Sequence, residues 1–112
     1  MSVIKGVLLE EKERNLRMQN LYLQEISMLP KGTIVNKSKK SGDYYYLSYR
    51  SGKQVVSDYL GKDIKKVQEV QQNIDKRKHL EGLVKNLKSE LKLISKVVKW
   101  WIQDRKLHFG KL

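Results

Sequence analysis

The sequence predicts an α+β fold, predominantly helical: an N-terminal helix, a three-stranded antiparallel meander, and a long C-terminal helix of coiled-coil character. Three observations carry this expectation. Good helix formers dominate the chain before its only proline, Pro30. Between Thr33 and Gly61 the residues favour strands and are punctuated by Ser-Gly pairs. Beyond Gly61, apolar residues recur at steps of three and four. A chain of 112 residues has room for one domain. Its expected divisions are 1–30 helix, 31–62 meander, 63–106 long helix and 107–112 tail.

The first helix is expected over Val7–Leu29. Leu9, Leu16 and Leu23 recur every seven residues, and Tyr22, Ile26 and Leu29 widen that stripe. Pro30 and Gly32 stop it. The meander follows as strands Thr33–Ser38, Tyr44–Arg50 and Lys53–Leu60, joined at Lys40-Ser41-Gly42-Asp43 and at Ser51-Gly52. Alternation along the middle strand places Tyr45, Leu47 and Tyr49 on one face and Tyr44, Tyr46, Ser48 and Arg50 on the other. The first set is expected to pack against helices, although the pattern alone also permits the reverse.

Asp63 is positioned as the N-cap of the last helix. Leu80, Val84, Leu87, Leu91, Ile94, Val98 and Trp101 form an unbroken heptad seam, which Val67, Val70 and Ile74 extend upstream. The steps Ile74, Arg77, Leu80 place two threes in succession, a phase slip just before Gly82. A helix from Asp63 to Arg105 would be about 65 Å long against about 35 Å for the first. The seam therefore requires either a bend near Gly82 or a second copy of the chain as cover.

Charge narrows the function. Lys and Arg number 24 against 12 Asp and Glu, a net charge of +12. Residues 31–66 and 85–112 each carry a net +6, while 1–30 and 67–84 are neutral. Solubility asks for a net charge of about 2–8 in magnitude, so two concentrated basic zones point to a polyanionic partner. With no cysteine, disulfides, thiolate metal sites and cysteine nucleophiles are excluded. No apolar run approaches the roughly 20 residues that span a bilayer. Glu10, Glu11 and Glu13 interrupt any export signal. A cytoplasmic protein with no membrane partner is expected.

Two motifs suit nucleic acid. Tyr44 to Arg50 with Lys37, Lys39, Lys40 and Lys53 gathers rings and cations, and the meander holds five of the chain's nine aromatic residues. Rings on a strand face stack bases while neighbouring cations hold phosphates. The blander reading is that a small sheet needs large rings as core. Division by face reconciles the two, leaving Tyr44, Tyr46 and Arg50 for a partner. Lys85, Lys88, Lys92, Lys96 and Lys99 line one side of the last helix, a ridge suited to a phosphate backbone or simply a solvated face. Trp100 lies off the seam and either marks a protein contact surface, with Trp101, Leu91, Ile94 and Val98 on the seam beside it, or packs under the Leu107-His108-Phe109 tail. His79 and His108 have no partner at ligand spacing. No metal, no cofactor and no catalytic residue is expected, so the chain reads as a non-enzyme.

The run Lys31-Gly32-Thr33, Tyr44-Tyr45-Tyr46-Leu47-Ser48-Tyr49-Arg50-Ser51-Gly52-Lys53 and Tyr59-Leu60-Gly61-Lys62 resembles a group of small, basic bacterial and archaeal proteins with helices flanking a Tyr-rich hairpin. The hairpin is also similar to the arm-binding domains of tyrosine recombinases. The resemblance implies DNA contact by the sheet and a place in mobile elements or defence systems, including as antitoxin or accessory partner of a nucleotidyltransferase-type toxin. None of the recombinases' catalytic residues is present. The sequence thus leads to a nucleic-acid-binding accessory protein, DNA or RNA. Its competitor is a phage or mobile-element inhibitor, anti-CRISPR-like or antitoxin, that binds a toxin or nucleoprotein effector through the seam and Trp100. A ribosome-associated or purely structural coiled-coil protein ranks third.

Overall fold

The computed structural model describes residues 2–110, with side chains for 3–101. The expected α+β architecture is present: helix α1 (Ser2–Ser27), strands β1 (Thr33–Lys39), β2 (Gly42–Ser51) and β3 (Gln54–Gly61), and helix α2 (Ile64–Gly110). No described helix is long and apolar enough to cross a membrane.

The chain forms two compact units, residues 25–80 and residues 1–24 with 81–112. In the first, the sheet has order β1-β2-β3 with both pairs antiparallel. Lys40 and Ser41 turn the first hairpin, Gly52 and Lys53 the second. Each turn is therefore tighter, or one residue later, than the sequence indicated. The reason is conformational, because Gly42 (φ 128°) and Gly52 (φ 62°) sit where positive φ is required. Ile26, Leu47, Val67, Ile74 and Leu80 are the buried apolar residues of this unit, and Ile74 is 2% exposed. On the inner face of β2 only Leu47 is buried; Tyr45 and Tyr49 are half-buried rather than core.

The exit from α1 is fixed by hydrogen bonds. Met28 N donates to Glu25 O at 3.1 Å and Leu29 N to Ile26 O at 3.0 Å, a tightened last turn. Arg77 Nη1 donates to Ile26 O at 3.0 Å and to Leu29 O at 2.7 Å. A cation at the carbonyl end of a helix also meets its dipole favourably. Lys76 adds an ion pair to Glu25 at 2.9 Å. The chain then turns at Pro30 and crosses β2 at Gly32 (φ 122°). A β-carbon there would collide with Ser48 O and lie 2.9 Å from Tyr49 Cβ. At the far side of the sheet, Asp63 caps α2 as expected, its Oδ1 accepting from Lys65 N at 3.0 Å.

In the second unit α1 and α2 run antiparallel. Ile4 and Leu8 line a recess with Val98 and Trp101, and Lys5 Nζ lies 5.4 Å from the centre of a Trp101 ring. Asn15 Nδ2 donates to Leu87 O at 2.8 Å, and Gln19 Nε2 donates to Asn15 Oδ1 at 2.6 Å. Three expectations change here. No break forms at Gly82: α2 runs uninterrupted from Ile64 to Gly110, because a lone glycine keeps its N–H and only weakens a helix. Helix α1 begins at Ser2 rather than Val7 and so reaches Val98 and Trp101 on the seam. The Leu9, Leu16, Leu23 stripe is not the packed one; these residues are 41%, 42% and 44% exposed. The covered stripe is Lys5, Leu8, Lys12, Asn15, Gln19, Tyr22 and Ile26. Of the tail expected from residue 107, positions 107–110 continue the helix. Residues 111–112 lie outside the described residues.

Two glycine substitutions test this account in opposite directions. Gly32→Ala is expected to destabilise the protein by about 2 kcal/mol or more, combining positive-φ strain with a backbone collision. Gly82→Ala, helical and with open space, is expected to stabilise it by about 0.8–1 kcal/mol. Urea denaturation at unchanged m-value reads both, and a loss on Gly82→Ala would contradict an unbroken α2.

Candidate functional site

The outer face of the sheet is assembled by register. Cross-strand pairing sets Val35 beside Tyr46, Lys37 beside Tyr44 and Lys39 beside Gly42 on one side, and Tyr46 beside Tyr59 on the other. Side chains at paired positions share a face, so Lys37, Lys39, Tyr44, Tyr46 and Tyr59 project together. Between Tyr45 and Tyr46 the register shifts, leaving Leu60 as an extra residue, and Gly61 takes φ 104°. This bulge advances β3 by one residue, so Lys62 follows Tyr59 onto the face occupied by Tyr44.

The rings touch one another at tilted angles. Their centroids are 5.3 Å apart for Tyr46–Tyr59 and 6.4 Å for Tyr44–Tyr59. Three ammonium groups sit over them: Lys37 at 4.7 Å from Tyr46, and Lys62 and Lys39 at 4.6 Å and 5.4 Å from Tyr44. At the hairpin tip the Tyr44 hydroxyl is 2.6 Å from Ser41 Oγ, and Lys62 Nζ donates to Ser41 O at 3.3 Å. The Ser41 hydrogen bond holds the Tyr44 phenol below its usual range, assisted by the hydrogen bond and charge of Lys62 and the charge of Lys39. On the inner face Tyr49 shows the opposite. Its hydroxyl donates to the Asp58 carboxylate, whose hydrogen bond and negative charge raise the phenol above its usual range. A cluster of cations supported on rings, each with N–H donors toward solvent, offers positive charge at fixed positions to an anionic ligand.

Not every expected residue joins this cluster. Tyr44, Tyr46, Lys37 and Lys39 do, with Lys40 in the adjoining turn. Arg50 and Lys53 are exposed but belong to the opposite end of the sheet, about 20 Å along β2 from Tyr44. Tyr59 and Lys62 are members that alternation does not reveal. Strict alternation ends the third strand at Leu60, and the Leu60-Gly61 pair is the only signal of the bulge. In the other unit Lys85, Lys88, Lys92, Lys96 and Lys99 are all exposed. Leu91, Ile94, Val98 and Trp101 are half-buried on the seam, whereas Trp100 is 67% exposed. His79 is exposed, and the His108 side chain lies outside the described residues.

The family model for a domain of unknown function, DUF6788, matches residues 8–70, more than half of the chain, which therefore belongs to that family. The match takes in the whole sheet and Lys62 and stops short of the lysine series 85–99. No curated protein and no solved structure matches the chain.

The two perturbed phenols make a direct check. With a folded pKa below 10.0, Tyr44 deprotonates before Tyr49 on raising the pH, and its ionised form favours the folded state above that pKa. Tyr49 deprotonates late, so its protonated form supports the fold until the pH passes above 10.0. In an alkaline titration of tyrosinate absorbance, the component that Tyr44→Phe removes should lie at lower pH than the one that Tyr49→Phe removes. The reverse order would contradict the two hydrogen-bond assignments.

Proposed function

We propose that this DUF6788 chain is a non-enzymatic, cytoplasmic nucleic-acid-binding accessory protein, of the kind carried by bacterial mobile elements or defence systems. One observation carries the reading: Lys37, Lys39 and Lys62 stand over the Tyr44–Tyr46–Tyr59 cluster on the solvent face of the sheet. Long-range attraction to a polyanion follows from the net charge of +12. Local attraction follows from ammonium groups held in place rather than dispersed, which lowers the entropy lost on engaging phosphates. The stretch matched by the family model, residues 8–70, contains every residue of the cluster. The exposed lysines 85 to 99 supply a second, independent contact for the backbone.

A second reading, an inhibitor or antitoxin acting on a protein partner, is favoured by Leu93, Val97 and Trp100. These residues lie at steps of four and three off the seam, and are 64%, 44% and 67% exposed. An exposed apolar stripe of this kind suits a protein contact.

Binding to labelled DNA and RNA oligonucleotides across a salt series separates the two. The nucleic-acid reading predicts affinity that falls steeply with salt, because each neutralised phosphate releases counterions. Replacing Lys37, Lys39 and Lys62 with Gln should flatten the log–log salt slope by roughly one unit for each phosphate left without its lysine. A folded protein that binds neither DNA nor RNA at low salt would defeat this function and leave the protein-partner reading standing.

A further inference from the structure

The three rings of the sheet's outer face are not equivalent. Tyr44 carries two ammonium groups over its ring and Tyr46 carries one. Both rings are half-buried by their neighbours. Tyr59 meets the other two rings and yet remains 55% exposed. Among the described residues no lysine lies over it. A ring whose face is occupied by a cation holds that cation in place; an uncovered ring can receive a flat ligand. The cluster therefore divides the work, with Tyr44 and Tyr46 as supports for lysines and Tyr59 as the open surface.

We infer that Tyr59 is a stacking platform for an unpaired base, and that the ligand of this face is single-stranded nucleic acid. This rests on the reading of the face as a nucleic-acid surface. The chemistry favours a single strand because a duplex keeps its base faces inside the stack and presents only edges and phosphates. A single strand exposes whole base faces, and aromatic side chains beside a basic track are the surface that takes them. Lys37, Lys39 and Lys62 lie around the same ring cluster, where the phosphates of a base stacked on Tyr59 would pass.

The test compares a labelled single-stranded oligonucleotide with a hairpin duplex of equal length, using the full chain. The variants are Tyr59→Leu and Tyr59→Trp, with folding followed by circular dichroism. Leu retains apolar packing against Tyr46 while removing the π face, so it keeps the test sound where Ala would strip the strand of packing. The wild type should bind the single strand more tightly than the duplex. Tyr59→Leu should weaken single-strand binding by about 5- to 150-fold with the salt slope unchanged. Tyr59→Trp should bind at least as well as the wild type, and duplex binding should be little altered by either. Equal or tighter duplex binding that is indifferent to Tyr59 would overturn this inference while leaving nucleic-acid binding intact. Failure of the folded wild type to bind either ligand would overturn both.

Discussion

The guanidinium of Arg77, donating to Ile26 O and Leu29 O, is the interaction on which the sheet's arrangement depends. It occupies a position in the 3-4 seam of α2 where an apolar residue would be expected, and its hydrogen bonds go to the carbonyl end of α1. Charge-assisted bonds of this kind contribute about 1.5–3 kcal/mol each when partly shielded. Their consequence is geometric as well as energetic. With the end of α1 held, Pro30 and Gly32 carry the chain across Ser48 and Tyr49, and Thr33 enters opposite Ser48. That register sets Lys37 beside Tyr44. A slip of one residue would turn every side chain of β1 to the other face and dismantle the cation–ring cluster.

The helical pair shows what hydrophobic periodicity can and cannot find. The α2 seam was legible because Leu80 and Val84 are buried and Leu87 to Trp101 half-buried at the expected steps. The α1 stripe was not. Its leucine heptad is on a flank, and the covered line contains Lys5, Lys12, Asn15 and Gln19. Two mechanisms make a polar line packable. Lysine covers apolar surface with its methylene stem while keeping its charge in water. Asn15 and Gln19 satisfy one another and Leu87 O, so no buried donor is stranded. Neither mechanism leaves a periodic apolar mark. The same limit applies at Gly82, a helix-weakening residue that the intact hydrogen-bond ladder around it outweighs.

In the sheet, the hairpins, their order and the division of Tyr44 and Tyr46 from Tyr45, Leu47 and Tyr49 followed from alternation and glycine placement. What escaped was local. The bulge at Leu60 breaks alternation and turns Lys62 onto the outer face, and the different exposure of three tyrosines arises only from cross-strand neighbours. Tyr49 illustrates the same point from the inner face. It is held by Asp58, a diagonal neighbour on β3, rather than by burial. Charge zones could be counted from the sequence, but which lysines stand over which rings is a property of register.

Amide chemical-shift mapping of the full chain, titrated with a short oligonucleotide, tests the central claim most directly. The account predicts perturbations concentrated at Lys37, Lys39, Tyr44, Tyr59 and Lys62, with a second set along the lysines from 85 to 99. Perturbations confined to Leu93, Val97 and Trp100, with the sheet silent, would contradict it.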